Sequence, residues 1–167
     1  MRSQPADLPS AVDRLLASQH TLEDQLRSLR SAQLGNEADE LSARAVDRPN
    51  SNGRLVVGRR DGLDAGELRD LAIAVRDHPG IDVVGLVGVT GPDRVAVVVA
   101  ARKDLGIDAR AAAKTAAAAV GGGGGGTAEL ATAGGRNVAG VEEAIVKLRE
   151  VLGRDPGGPG LGGQASL

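Results

Sequence analysis

Residues 121–135 read GGGGGGTAELATAGG: six consecutive glycines, a short spacer and a second glycine pair. Glycine has no Cβ, so such a run lets another backbone or a ligand approach closely, at an entropic cost on folding. Composition alone allows a flexible linker or a loop that forms a backbone cradle. The spacer contains the apolar Leu130 and helical patterns flank the stretch, and both features argue against a linker. The residues alone leave the two interpretations open.

The composition excludes several kinds of site. The 167 residues include no Phe, Tyr or Trp, which removes aromatic stacking on single-stranded RNA. Without cysteine there is no disulfide, thiolate nucleophile or Cys-ligated zinc, and the net charge of −2 attracts no polyanion globally. No signal-peptide pattern or bilayer-spanning apolar run is present. We therefore expect a cytoplasmic protein with no membrane partner.

Apolar residues at the N-terminus recur with steps of four and three, the a/d spacing of a heptad. The pattern predicts a helix over residues 8–33, a break at Gly35–Asn36, and a second short helical segment with Ala38, Leu41 and Ala45 on one face. The apolar stripe would either pair with another chain or fold back on the second segment as a helical hairpin. The residues predicted to dimerise are Leu8, Val12, Leu15, Leu22, Leu26 and Leu29.

The rest of the chain predicts a small α+β domain. Turn formers at 47–53 mark a linker between a helical arm (1–46) and a globular domain (54–153), and residues 154–167 are predicted to be a disordered tail. β-branched runs predict strands at 55–57, 81–89 and 94–101. Helices are predicted after Asp64, which begins a capping box with Glu67, from Asp108 to Val120, and over 141–152. The predicted order is β-α-β-β-α-loop-α, with the glycine-rich stretch as the loop.

The glycine-rich stretch resembles the motif of the DHHA1 domain, the C-terminal domain of alanyl-tRNA synthetases. That motif reads GG, a basic residue, GGG, a basic residue, Pro, Asp, Met, Ala, Gln, Ala, GG. The family's two basic positions are Gly123 and Thr127 here, and Leu130 replaces Met. Segments 60–64, 102–105 and 8–15 follow the family in the same order, so the resemblance covers roughly residues 8–152 and favours a loop over a linker. The matching positions are Gly121, Gly122, Gly124, Gly125, Gly126, Ala131, Ala133, Gly134 and Gly135.

The resemblance implies a free-standing or divergent copy of that domain. In the family the helical segment supports dimerisation, and the globular part contacts the outer corner of tRNA-Ala and brings the aminoacylation and editing domains onto one tRNA. The implied partners are tRNA (tRNA-Ala or a tRNA-like RNA), a second copy, and a synthetase or editing protein. One alternative is a protein-interaction module that has lost RNA binding along with the two loop cations. Another is a phosphoester-binding remnant of the DHH phosphoesterases, whose GGGH loop has a His that this loop lacks.

A basic patch around the predicted loop is the candidate nucleic-acid site. Arg110 and Lys114, spaced i, i+4, share a helix face, and the alternative is a solvated surface with ion pairs to Asp104, Asp108 and Glu129. Arg59–Arg60 is a second candidate. The predicted nucleic-acid-binding residues are Arg102, Lys103, Arg110, Lys114, Gly121, Gly122, Gly124, Gly125, Gly126, Thr127, Gly134, Gly135 and Arg136.

Catalytic chemistry has no support in the sequence. The two histidines, His20 and His78, lie far apart in the chain and outside any metal-ligand spacing. Neither the adenylation site nor the editing site of full synthetases has a counterpart. We predict a non-enzymatic chain with no catalytic residue, metal or cofactor.

Overall fold

The computed structural model describes residues 7–48, 53–103 and 105–153. The chain divides after Asn36 into two compact units, Met1–Asn36 and Glu37–Leu167. The first unit contains most of helix α1. The second contains the end of that helix and every other element. In chain order the elements are α1 (Asp7–Ala43), β1 (Val46–Asp47), β2 (Arg54–Arg59), α2 (Ala65–Arg76), β3 (Ile81–Gly91), β4 (Arg94–Ala101), α3 (Ala109–Ala119), β5 (Gly123–Gly126), β6 (Leu130–Gly135), a 3-10 turn (Val138–Gly140) and α4 (Val141–Gly153).

Helix α1 is continuous over its 37 residues, so the predicted break at Gly35–Asn36 and the helical hairpin are wrong. An interior glycine costs only about 1 kcal/mol relative to alanine, and good helix formers surround this one. The predicted second segment is the end of the same helix: Ala38 and Leu41 are buried there, while Ala45 lies beyond its last residue. Leu8 is helical, but its side chain lies outside the described residues.

The six strands of the described residues form one mixed sheet in the order β1-β2-β3-β4-β6-β5. Strands β2 and β3 are parallel and are joined through α2, whereas all other neighbours are antiparallel. The β3–β4 hairpin predicted from the β-branched runs is confirmed, with Val84 opposite Ala100 and Val87 opposite Val97. The sheet therefore has two outer edges, one at β5 and one at β1 and β2.

Helices cover the sheet on both faces. Helices α3 and α4 pack on the face that carries Val83, Val97 and Val99, and Leu148 and Leu152 lie over Gly85. On the opposite face α2 packs against β3 and β4. Leu41 also lies on that face, over Gly58 of β2. The core contains only aliphatic side chains, as the aromatic-free composition requires.

The predicted helix starts are confirmed. Asp64 accepts a hydrogen bond from the Glu67 amide (2.8 Å), and the Glu67 carboxylate accepts one from the Asp64 amide (3.1 Å), which completes the capping box. Asp108 caps α3 by accepting from the Arg110 amide (2.9 Å). Together with the sheet, these helices confirm the predicted α+β fold class.

The glycine-rich stretch differs from its prediction. It forms two antiparallel strands, β5 and β6, rather than a loop. Glycine has a low strand propensity, but here β6 pairs along its whole length with the valine-rich β4. Tertiary pairing has therefore overridden local preference.

The proposed division into arm, linker, globular domain and tail at 46, 53 and 153 stays a prediction. Asp47 at the start of the linker belongs to β1, where it pairs with Arg54. Residues 49–52 and the predicted tail, 154–167, lie outside the described residues. Within the described part of the chain, no helix has the length and apolar character to cross a bilayer.

Candidate nucleic-acid interface

The glycine hairpin, defined as residues 121–135, begins at the end of α3. The Gly122 amide donates to the Ala117 carbonyl (2.9 Å) and the Gly121 amide to the Ala118 carbonyl (3.4 Å). This pair of bonds is a Schellman motif, which needs a left-handed residue after the helix. Gly121 has φ +66° and supplies it. The hairpin therefore leaves the helix in a defined direction.

The turn of the hairpin is tied to the domain. The Ala101 amide donates to the Glu129 carbonyl (2.7 Å), and the Ala109 amide donates to the Ala128 carbonyl (2.9 Å). The Thr127 hydroxyl accepts from the Leu130 amide (3.1 Å). That hydroxyl, predicted as an RNA contact, thus already helps to close the turn.

The two faces of the hairpin differ. Residues paired across antiparallel strands share a face, so Gly124 lies with Ala133 and Ala131 on the side of α3. On the opposite side lie Gly123, Gly125 and Thr132, and all four glycines of β5 are exposed. An added Cβ at Gly123 or Gly125 would have no atom within 4 Å. The side of Gly123 and Gly125, named here the glycine platform, presents backbone almost bare of side chains.

Three predicted cations lie near the turn of the hairpin, and a fourth, Lys114, lies further along α3. Arg102 and Lys103 follow β4, and Arg110 and Lys114 lie on α3. Arg102 donates to the His78 carbonyl (3.0 Å) and Arg110 pairs with Asp108 (3.3 Å). The hydrogen bond from Arg110 is the main cause of a lowered pKa at the Asp108 carboxyl. Among the described residues, Arg102, Lys103 and Lys114 have no ion pair, so the charges of these three cations are available to a ligand.

Arg136 lies at the other end of the hairpin. The register pairs Val95 with Gly135 and Ala100 with Leu130, which separates Arg136 from the turn by roughly 20 Å at 3.3 Å per residue. It lines a shallow cleft of about 430 Å³. The lining also includes Arg94, Thr90, the two glycines that precede β5 and the two that end β6. The predicted patch is therefore two groups of cations, one at each end of the hairpin.

Arg94 was not predicted as a site residue. It follows the β3–β4 turn, and the β4–β6 register places it beside Arg136. Its position could have been predicted only if residues 130–135 had been interpreted as a strand that pairs with β4. The second candidate pair has other partners: Arg59 pairs with Asp61 (2.9 Å) and Glu142 (2.8 Å), and Arg60 with Glu37 (3.7 Å).

No cluster of His, Asp and Glu suited to a metal ion occurs among the residues that the structure describes. His20 is 4.0 Å from Glu23, and His78 is 3.1 Å from Asp39. The two histidines therefore lie beside different carboxylates in different parts of the chain. The chemistry that the described surface can perform at the hairpin is binding by amides, hydroxyls and cations.

The comparisons with known proteins identify the family. The protein-family model described as "DHHA1 domain" matches residues 52–154, which include the entire glycine hairpin. The chain belongs to the DHHA1 domain family. The predicted resemblance to the C-terminal domain of alanyl-tRNA synthetase is confirmed by relatives and by a solved structure.

Two relatives are alanine–tRNA ligases. The chain is 35% identical over 151 residues to that of Thermobifida fusca, a match that covers 87% of this chain and 17% of the ligase. It is 40% identical over 148 residues to that of Acidothermus cellulolyticus, covering 84% of this chain and 16% of the ligase. The chain thus spans about a sixth of the length of these relatives.

One solved structure has the same fold. It is the C-Ala domain of the alanyl-tRNA synthetase from Aquifex aeolicus, with a TM-score of 0.59 and 27% identity. The match covers 66% of this chain and 98% of that domain. This DHHA1 chain is therefore homologous to the C-terminal auxiliary domain of the synthetase.

Proposed function

We propose that this chain is a non-catalytic tRNA-binding module whose RNA surface is the glycine platform with the cations at its two ends. The observation that carries the proposal is the open platform, with Arg102 and Lys103 after β4 at one end and Arg94 and Arg136 at the other. Homology to the C-Ala domain directs it toward tRNA. The predicted cytoplasmic location belongs to the same proposal.

The platform suits a nucleic-acid backbone. Because Gly123 and Gly125 have no side chains, sugars and phosphates can pack closely against the backbone of the strand. Cations at both ends would neutralise phosphates and release condensed counterions, a source of affinity that falls with added salt. Two cations roughly 20 Å from the other two match an extended polyanion better than a single phosphate. Arg94 would partly compensate for the two basic residues that the family has in this stretch, since this chain has Gly123 and Thr127 at those positions.

We propose that this surface binds RNA without catalysing a reaction. Binding groups surround the platform, but among the residues that the structure describes no base, nucleophile and orienting group come together there. The role would be to hold RNA for catalytic domains supplied by a synthetase or an editing protein, the partners that the resemblance implies.

A titration of labelled tRNA at two salt concentrations tests the RNA site. We expect saturable binding that prefers tRNA to an unrelated duplex RNA. Charge reversal at Arg102 and Lys103, or at Arg94 and Arg136, should weaken binding and lower the salt slope by about one for each cation–phosphate interaction that is removed. Reversal of Arg110 and Lys114, the pair on one helix face, should have a smaller effect than reversal of Arg102 and Lys103. Both residues of the pair lie on α3, on the other side of the hairpin, and Arg110 is already paired with Asp108.

The matched control reverses two exposed arginines far from the hairpin, Arg44 and Arg149. Both lie along the opposite edge of the sheet and have no ion pair among the described residues. Their reversal changes the net charge equally and should leave tRNA affinity within about twofold. Equal losses of affinity in the control and test variants would mean that net charge, and not this surface, governs binding.

A second candidate function, self-association, is favoured by helix α1. Its residues 10–33 are all exposed. Five predicted stripe residues (Val12, Leu15, Leu22, Leu26 and Leu29) and the adjacent Leu16, which also belongs to the apolar side of the helix, are between 49% and 68% exposed. A sustained apolar stripe with heptad spacing is typical of paired helices. We propose a homodimer through this stripe, formed by Val12, Leu15, Leu16, Leu22, Leu26 and Leu29.

Sedimentation equilibrium at micromolar concentration tests the dimer. Replacing Leu22 and Leu26 with glutamate should convert the dimer to a monomer. The control places glutamate at Ala17 and Ser31, which lie on the opposite side of the helix at 100° per residue and are also exposed. A wild-type monomer, or equal dissociation by both variants, would contradict the proposed stripe.

A further inference from the structure

The sheet has a second unpaired edge, on the side away from the glycine hairpin. Strand β1 pairs only with Arg54 and Leu55 of β2. From Val56 to Arg59, β2 has no outer neighbour among the described residues. A groove of about 750 Å³ runs along this segment, between the C-terminal ends of α1 and α4.

The exposed edge offers backbone hydrogen-bonding groups. The Arg54 amide donates to the Gly80 carbonyl and the Arg60 amide to the Val87 carbonyl, so the amides of even-numbered residues point toward β3. The alternation along a strand therefore directs the backbone groups of Val57 and Arg59 outward, into the groove. An edge of this kind is a template for an added strand.

The walls of the groove are both apolar and basic. Its apolar lining includes Leu41, Leu55 and Val46, and Val46 is 66% exposed. The basic lining consists of Arg44, Arg59, Arg60 and Arg149. Arg59 and Arg60 have carboxylate partners, whereas Arg44 and Arg149 have none among the described residues. A carboxylate in the lining, Asp47, already pairs with Arg54 (3.6 Å).

We propose that this groove binds an extended acidic segment of a partner protein, which adds a strand to the outer edge of β2. Strand addition draws affinity from main-chain hydrogen bonds and specificity from alternate side chains. Side chains of the segment would lie on both faces of the edge, with those on the face of α4 contacting Leu55, Val46 and Arg149. Those on the face of Leu41 would meet Arg44, so the segment needs a carboxylate on each face. This site is separate from the proposed RNA surface and adds a protein-binding edge to it.

The charge and shape of the groove favour this occupant over others. A second copy would bring its own arginines to the same edge, and like charges in close contact are unfavourable. The chain's own segment after Gly153 contains a single acidic residue, Asp155. A nucleic acid would leave the apolar wall and the strand edge unsatisfied, because it cannot extend a β-ladder.

The test uses defined peptides and the full chain. A labelled octapeptide in which pairs of valines alternate with pairs of glutamates has both residue types on each face and should bind with salt-sensitive affinity. The same peptide with lysine in place of glutamate, or with a central proline, should not. On binding, amide exchange at Val57 and Arg59 should slow by about tenfold or more, while the central strand amide of Val97 stays unchanged. Equal binding of the acidic and basic peptides, or unchanged exchange at Val57, would overturn the proposal.

Charge reversal separates this site from the RNA site. The double variant R44E/R149E should lower the affinity for the acidic peptide by about tenfold and leave the affinity for tRNA unchanged. The double variant R102E/K103E should weaken tRNA binding and leave the affinity for the acidic peptide unchanged. Two other results would overturn the proposal. Concentration-dependent dimerisation that R44E/R149E abolishes would assign the edge to a second copy. Faster amide exchange at Val57 after removal of residues 154–167 would assign the edge to that segment.

Discussion

Two adjacent glycines of the hairpin should respond in opposite ways to the same added methyl group. Gly123 and Gly124 are neighbours in β5, and neither has a positive φ. At Gly124 an added Cβ would lie closer than 3.0 Å to the Thr132 carbonyl oxygen and to Ala133, both in the neighbouring strand. At Gly123 it would meet no atom within 4 Å. We therefore predict that Gly124→Ala destabilises the domain and Gly123→Ala stabilises it.

The magnitude follows from two terms. Replacing glycine with alanine reduces the entropy of the unfolded chain and stabilises by about 0.4–1 kcal/mol where the backbone fits. This term is common to both variants and cancels in their difference. At Gly124 the overlap involves backbone atoms, which must shift, and overpacking of this kind costs about 1–3 kcal/mol. The two variants should therefore differ in unfolding free energy by about 1–3 kcal/mol.

Urea unfolding followed by far-UV circular dichroism measures this difference, since the chain has no aromatic residue to report by fluorescence. The midpoint should rise for Gly123→Ala and fall for Gly124→Ala, with the slope m unchanged in both. Equal midpoints would refute the strand pairing of the glycines. A loop or linker would accept either alanine, so the experiment separates the strand pair from both sequence-based interpretations.

The other predictions concern single side chains. Gly123→Arg, which restores one of the family's basic positions on the open platform, should tighten tRNA binding and raise its salt slope by about one, as the same titration would show. Asp64→Ala should lose about 1 kcal/mol in urea unfolding by removing the capping box with Glu67. Asp108 has a pKa below its ordinary value of 3.8, mainly because Arg110 hydrogen-bonds to it. Its contribution to stability should be complete above pH 3.8 and disappear as the pH falls through the lowered pKa, so Asp108→Asn should lower the urea midpoint at neutral pH but not in strong acid.

The helices and central strands were predictable because their signals are local. Asp64 and Glu67 form a capping box at the expected spacing, and the β-branched run that contains Val97 makes a central strand in almost any context. Two predictions of secondary structure were wrong, the break in α1 and the glycine-rich loop, and both concern glycine. Gly35 suggests a helix break in the sequence, but a single interior glycine is only a small cost that neighbours with good helix propensity outweigh.

The glycine hairpin was not predictable from its own residues. Its strands exist because β6 finds a partner in β4, thirty or more positions earlier in the chain. Local propensity contains no information on that pairing. Arg94 was missed, and Arg136 was grouped with Lys103, for the same reason. Only the register of β4 and β6 shows that Arg94 and Arg136 lie at one end of the hairpin and Lys103 at the other.

The alternation of open and closed positions in β5 also bears on how this surface can evolve. Arginine codons of the CGN type differ from glycine codons by their first base alone. At Gly123 and Gly125 a single-base change can therefore introduce a cation with space around it, whereas the same change at Gly124 or Gly126 places a side chain against the neighbouring strand. Point mutations that add charge should accumulate at alternate glycines, so the hairpin can gain or lose affinity for a polyanion in single genetic steps while its strand pairing is preserved.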